Sequence, residues 1–98
     1  MPICELTGTV WRYPGKGGWH FVTVPPDLAD ELAVRYADAH RPFGSLRVRA
    51  SLGSSTWSTS LFKDTKSASY LLPVRADVRR RERIEDGGTA TIRIELED

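Results

Sequence analysis

The sequence predicts a small, mainly β protein in one domain spanning residues 1–98: six short strands in a closed or nearly closed barrel, with two short helices. Three observations carry that expectation. Several segments alternate apolar and polar residues with a period of two, the mark of a strand with one buried face. The period changes twice, after Val24 and after Pro73, where a strand-like run meets proline and gives way to helical spacing. Six strands in a chain of 98 residues would leave sticky edges in an open sheet, and closure removes them.

The first strand covers residues 3–11. Ile3, Glu5, Thr7, Thr9 and Trp11 fall on one face and Cys4, Leu6, Gly8 and Val10 on the other. Pro14-Gly15-Lys16-Gly17-Gly18 is a turn cluster, and residues 19–24 resume as a strand, which makes the pair a hairpin. Pro25-Pro26-Asp27 opens a helix, since proline is tolerated in the first turn and Asp27 and Asp30 suit its positive end. Leu28, Leu32 and Tyr36 then recur every four residues beside Ala29 and Ala33, and the helix ends before Arg41-Pro42.

In the third strand Leu46, Val48, Ala50 and Leu52 face inward, against Arg47, Arg49 and Ser51. Gly53-Ser54 turns the chain into a fourth strand over residues 56–62. A loop at residues 63–67 leads to a fifth over residues 69–74. A short helix is expected over residues 77–84, closed by Glu85-Asp86-Gly87-Gly88 with glycine in the left-handed terminal position. The last strand places Ala90, Ile92, Ile94 and Leu96 inward and Thr91, Arg93, Glu95 and Glu97 outward. One core is expected from Leu6, Val10, Phe21, Leu28, Leu32, Leu46, Val48, Trp57, Leu61, Leu72, Val78, Ile92 and Ile94. The two halves echo each other, each running from strand through proline to helix and strand, in kind more than in letters.

Composition narrows the function classes. Fourteen Lys plus Arg against thirteen Asp plus Glu leave a formal charge of +1, which argues against a surface that is everywhere a polyanion-binding field. Cys4 is the only cysteine, so no intramolecular disulfide can form. No secretory signal pattern opens the chain, and no apolar run approaches the roughly 20 residues that span a bilayer. A cytoplasmic protein without a membrane partner is expected.

The order strand, glycine-rich turn, Trp19-His20-Phe21-Val22-Thr23-Val24-Pro25, helix, Arg41-Pro42-Phe43-Gly44 and strand is distinctive. It continues through Trp57-Ser58-Thr59-Ser60-Leu61-Phe62, Tyr70-Leu71-Leu72-Pro73-Val74 and Val78-Arg79-Arg80. Over nearly its whole length the chain resembles a bacterial domain-of-unknown-function family. That resemblance implies a small double-split β-barrel, found alone or fused to a bacteriocin-protection-type domain. The segment from Val78 through Ile84 to Thr89 also resembles, more distantly, the helix-to-strand turn of AbrB-type regulators and MazE-type antitoxins. Those proteins carry Gly-Asp or Gly-Glu where this chain has Gly87-Gly88. Both resemblances imply a fold rather than an activity.

The residues for catalysis are sparse. Ser54, Ser55, Ser58 and Ser60 lie outside any Gly-x-Ser-x-Gly elbow, and hydroxyl-rich strands are ordinarily solvated β-faces. Cys4 shares a strand face with Leu6 and Val10, which favours packing over reactivity. His20 and His40 show no ligand spacing with each other or with Cys4, so neither a metal nor a cofactor is expected. Gly15-Lys16-Gly17-Gly18 leads into a strand, whereas a phosphate loop needs a helix amino terminus, so a hairpin connection is the better reading.

Two groups remain as binding candidates. Arg75, Arg79 and Arg83 are spaced by four and share a helical face if the helix begins early, with Arg80 and Arg81 beside them. Guanidinium groups so arranged can hold a phosphate or carboxylate in forked hydrogen bonds; a solvated face with an Asp77–Arg81 ion pair is the plainer alternative. Trp57 and Thr59, with Tyr70 and Leu72, would line a barrel mouth open to a small ligand, or plug the core.

The leading expectation is therefore a non-enzymatic binding module, compatible with a homodimer, that meets a protein partner or small anionic ligand through the arginine face or the barrel mouth. The alternative is a nucleic-acid-binding regulator resembling AbrB-type proteins, with Arg47 and Arg49 extending the basic surface. A cofactor-free enzyme built around Tyr70, Arg75 and Asp77 is the third class, and nothing in the sequence brings those groups together.

Overall fold

In the computed structural model, which describes residues 3–15, 17–39 and 44–97, six antiparallel strands close into a barrel. The elements are β1 (Ile3–Arg12), β2 (His20–Thr23), α1 (Pro26–Arg35), β3 (Leu46–Leu52), β4 (Ser55–Asp64), β5 (Ser69–Pro73), α2 (Ala76–Arg81) and β6 (Thr89–Leu96), with a 3-10 turn at Ala37–Ala39. Around the barrel the order is β1-β2-β5-β4-β3-β6, and β6 returns to β1.

That order contains a two-fold relation between halves. β1-β2-α1-β3 corresponds to β4-β5-α2-β6, with the axis passing between β2 and β5 on one side and β3 and β6 on the other. The hydrogen bonds repeat it: the Val24 amide donates to the Tyr70 carbonyl at 2.9 Å, and the Val74 amide to the His20 carbonyl at 3.0 Å. The residues that open the helices also match, Pro25 at φ −56°, ψ 144° and Arg75 at φ −64°, ψ 149°. Because β2 and β5 are antiparallel, the chain leaves them at opposite ends of the barrel, and α1 and α2 begin there. α1 buries Ala29 and Leu32, and α2 buries Val78.

The interior is a set of inward rows. Val10 pairs with Val22 and Val22 with Leu72 in one row, and Leu46 pairs with Leu61; all five are sealed from solvent. Removing that much aliphatic surface from water is the main stabilising term of a domain this small.

Most of the expected core is present, with two adjustments. Leu28 is only partly buried and packs on the core from its margin. Phe21 is not a core residue; Val22 and Val24 are, so β2 stands one residue out of the expected phase. The reason is space. A Cβ on Gly8 would lie 2.8 Å from Val22 Cγ1, so β1 and β2 approach too closely there for a phenyl ring. The expected membership also omitted Ala50, Tyr70, Val74 and Ala90, which are buried.

The helices are shorter than their patterns suggested. α1 stops at Arg35, and the Arg41-Pro42 terminator and His40 lie outside the described residues. α2 stops at Arg81, and the left-handed residue beyond it is Arg83 (φ 57°), not a glycine. The Ile84 amide closes the helix end by donating to the Arg79 carbonyl at 2.9 Å. Gly87 is also left-handed but belongs to the following turn, where its amide donates to the Val10 carbonyl at 2.7 Å.

Candidate functional site

The barrel mouth is filled. Trp57 is 4% exposed and Tyr70 2%, and both belong to the hydrophobic core with Leu72. The Trp57 indole N–H donates to the Pro73 carbonyl at 3.2 Å, which satisfies its one donor inside the protein. Burial raises the Tyr70 phenol above its ordinary pKa and keeps it neutral. Thr59 is half-buried opposite Val48. The plainer of the two sequence readings, Trp57 and Tyr70 as core plugs, describes what these side chains do.

The arginines gather elsewhere than on one helical face. α2 has six residues, so Arg75 precedes it and Arg83 follows it. Arg75 and Arg79 meet instead, with Arg80 and without Arg83, in a groove of about 530 Å³ between the β1–β2 hairpin turn and the start of α2. Gly17, Gly18, Trp19 and His20 form one wall, and residues 73–77 with Arg79 and Arg80 form the other. The two-fold topology explains the meeting, because the Val74–His20 hydrogen bond lays the end of β5 beside the start of β2.

The cationic wall is only partly satisfied. Arg75 Nε lies 3.2 Å from Asp77 Oδ1, replacing the expected Asp77–Arg81 pair. Arg81 instead donates to the Ser55 hydroxyl at 3.2 Å, and Ser55 donates to Glu82 at 2.6 Å, which ties α2 to the β3–β4 turn. Arg79 Nε donates to the Val74 carbonyl at 3.3 Å, which anchors its stem and leaves the terminal nitrogens without a partner among the described residues. Arg80 is exposed and likewise without one. Three guanidinium groups thus face one carboxylate in the groove.

The opposite wall is held by the hairpin turn. His20 Nδ1 lies 2.8 Å from the Gly18 carbonyl; a carbonyl only accepts, so Nδ1 carries the proton and Nε2 is turned to other partners. The Tyr13 amide closes the turn on the Trp19 carbonyl at 2.8 Å. Gly17 is required twice over: its φ is 98°, and a Cβ there would sit 3.1 Å from Trp19 Cδ1. The indole therefore lies against bare backbone.

Trp19 is also part of an outward aromatic cluster. It stacks on Phe21 with centroids 6.3 Å apart at 10°, and Phe21 meets Trp11 at 5.6 Å and Tyr13 edge-on at 5.8 Å. Tyr13, Trp19, Phe21 and Phe62 line an apolar shelf of about 300 Å³. Trp19 is 58% exposed, Tyr13 47% and Phe62 46%. Pattern reading missed Trp19 as a site residue because Phe21 was placed inward. With Val22 inward, Tyr13, Trp19 and Phe21 fall outside together, and that parity was the available signal.

The other candidates fare differently. Arg47 and Arg49 converge on Glu97 at 3.4 and 3.8 Å, so the two β3 arginines share one carboxylate. Cys4 is half-buried, and burial raises its thiol pKa, aided by the Glu31 carboxylate and opposed by Arg35. Among the described residues no three His, Cys, Asp or Glu side chains converge as a metal site, and no helix is long and apolar enough to cross a membrane. No curated protein matches the chain. The sequence pattern of one family does match, over residues 7–94, and with it the closed barrel agrees: the chain belongs to the family described as Domain of unknown function (DUF1905).

Proposed function

We propose that this domain is a binding module rather than an enzyme, and that it takes an anionic ligand, a phosphate or carboxylate group, in the groove between the Gly17–His20 turn and the Arg75–Arg80 segment. One observation supports this above the rest: Arg79 and Arg80 point unpaired guanidinium nitrogens at a groove of about 530 Å³. Such nitrogens form forked hydrogen bonds with oxyanions, and two planar groups side by side suit a tetrahedral phosphate better than a lone lysine would. His20 lines the opposite wall of the same groove. A binding role suits the surroundings as well. Among the described residues that line this groove, Asp77 is the one carboxylate and there is no serine or cysteine, whereas acid–base and nucleophilic chemistry need such groups within hydrogen-bond reach of a substrate.

Titration calorimetry with inorganic pyrophosphate tests the reading. The wild-type domain is expected to bind, and Arg75→Glu with Arg80→Glu to abolish the signal while the far-UV spectrum and melting midpoint stay unchanged. Both side chains are exposed, so folding should tolerate the change. Undiminished binding by that folded double variant would remove the groove from consideration.

A further inference from the structure

The arginine groove does not end at its own walls. Trp19 lines both the groove and the aromatic shelf, so cations and aromatic rings form one continuous surface. On the other side, Arg79 and Arg80 are shared with a second hollow of about 490 Å³ that also takes in Arg83, Ile84 and Glu85. The sequence of surfaces is thus aromatic shelf, arginine groove, second arginine hollow. We infer that this surface binds single-stranded nucleic acid, with bases stacked on Trp19 and its aromatic neighbours and backbone phosphates running past Arg75, Arg79, Arg80 and Arg83.

The inference rests on the groove being an anion site and goes further in naming what the shelf is for. A ligand carrying only charge would leave three half-exposed aromatic rings in water. An apolar protein segment on the shelf would leave the adjoining guanidinium groups unmatched. A nucleic acid strand alternates flat apolar faces with anionic links, and stacking platforms beside a positive groove are how sequence-tolerant single-strand binders work. A duplex fits less well, because its bases are already stacked on each other and the shelf would go unused. Charge agrees with this scale. A net charge of +1 gives no broad field for duplex, but four local arginines suffice for a few phosphates. Asp77 and Glu85, which line the two arginine hollows, limit where a phosphate can sit.

Fluorescence titration of the full chain with oligo(dT) and oligo(rU) 12-mers, a 12-base-pair duplex and inorganic tripolyphosphate tests it. Single strands are expected to bind, the stronger of the two identifying the preferred sugar. The slope of log K against log salt should be about −2 to −3, as three or four phosphate contacts imply for a single strand. Trp19→Ala should weaken oligonucleotide binding about 5- to 150-fold, as the loss of one stacked base predicts, and Phe62→Ala, which changes the shelf but not the groove, should weaken it while leaving tripolyphosphate binding unchanged. Phe62→Ala, at the far side of the shelf, provides a second variant should Trp19→Ala disturb the turn. Tripolyphosphate binding without oligonucleotide binding would overturn this inference and leave the anion groove standing, whereas binding of neither would remove both. Equal affinity for duplex, or full affinity in both aromatic variants, would show that the shelf is not a stacking platform. Concentration-dependent dimerisation abolished by Trp19→Ala, with no oligonucleotide bound, would assign the shelf to a second copy of the chain and overturn the inference.

Discussion

The Trp57 indole N–H donates to the Pro73 carbonyl at 3.2 Å, joining β4 to the last residue of β5 inside the barrel. The bond sits beneath the arginine groove, which Pro73 lines from the other side. Trp57→Phe keeps most of the apolar volume but leaves that carbonyl unpaired, at a cost of about 1–3 kcal/mol. Trp57→Ala should cost about 3–5 kcal/mol. Urea unfolding measures both. A Trp57→Phe protein of undiminished stability would show that water or a neighbour replaces the lost donor.

Gly8 of β1 lies close against Val22 of β2. A methyl at Gly8 would stand 2.8 Å from Val22 Cγ1, so Gly8→Ala should destabilise by about 1–3 kcal/mol through overpacking. Val22→Ala makes room for that methyl. The double variant should therefore be more stable than the two single changes predict by addition, with a coupling of about 0.5–3 kcal/mol. Strict additivity in chemical denaturation would mean that the strands separate to relieve the contact.

Ala68 adopts φ 54° in the turn between β4 and β5. A left-handed residue with a Cβ costs roughly 1–2 kcal/mol, and glycine gives back roughly 0.5–1 kcal/mol in chain entropy. Ala68→Gly should therefore stabilise by about 0.5–1 kcal/mol, read as a higher urea midpoint at constant slope. A lower midpoint would place the methyl in a contact worth more than the strain.

Glu97 and Asp64 should shape the acid limb of stability. The Ser58 hydroxyl, at 2.7 Å, with Arg47 and Arg49 holds the Glu97 carboxyl below its usual range. The Ser67 hydroxyl, also at 2.7 Å, does the same for Asp64. Carboxyls that are more acidic in the folded state contribute stability above their unfolded pKa values and lose it as pH falls through the folded ones. Stability should therefore decline from about pH 4.5 downward, in the usual carboxylate range. Glu97→Gln should flatten that decline. An identical acid limb in the variant would mean that the contacts to Glu97 persist when it is protonated.

Cys4 should be a slow thiol. Burial and the nearby Glu31 carboxylate raise its pKa, so little thiolate is present at neutral pH. Alkylation by iodoacetamide at pH 7 should lag behind a free cysteine peptide and catch up in denaturing urea. Equal rates in folded and unfolded protein would show that the β1 end opens readily.

Strand periodicity by itself determined the strands and which of their faces turn inward. Inward and outward sets in β1, β3 and most of β6 follow from alternation alone, because each strand shows one face to the core; only the end of β6, at Glu95 and Leu96, blurs the pattern. The proline-to-helix transitions were legible for the same local reason, since proline fixes its own backbone and that of the residue before it. What local pattern could not decide was phase in a four-residue strand. In β2 both His20-Val22-Val24 and Trp19-Phe21-Thr23 alternate, and the larger ring suggested the wrong face. The tertiary structure selects the valines, with Val22 packed against Gly8 and paired with buried Val10 and Leu72. The arginines show the same division. Their number and spacing are in the sequence, but helical spacing placed them on one face of a helix too short to hold them. Tertiary structure brings Arg75, Arg79 and Arg80 to Trp19 and His20, because the β2–β5 pairing joins segments about fifty residues apart. A neighbour relation of that range is set by closure of the barrel, and no window of sequence contains it.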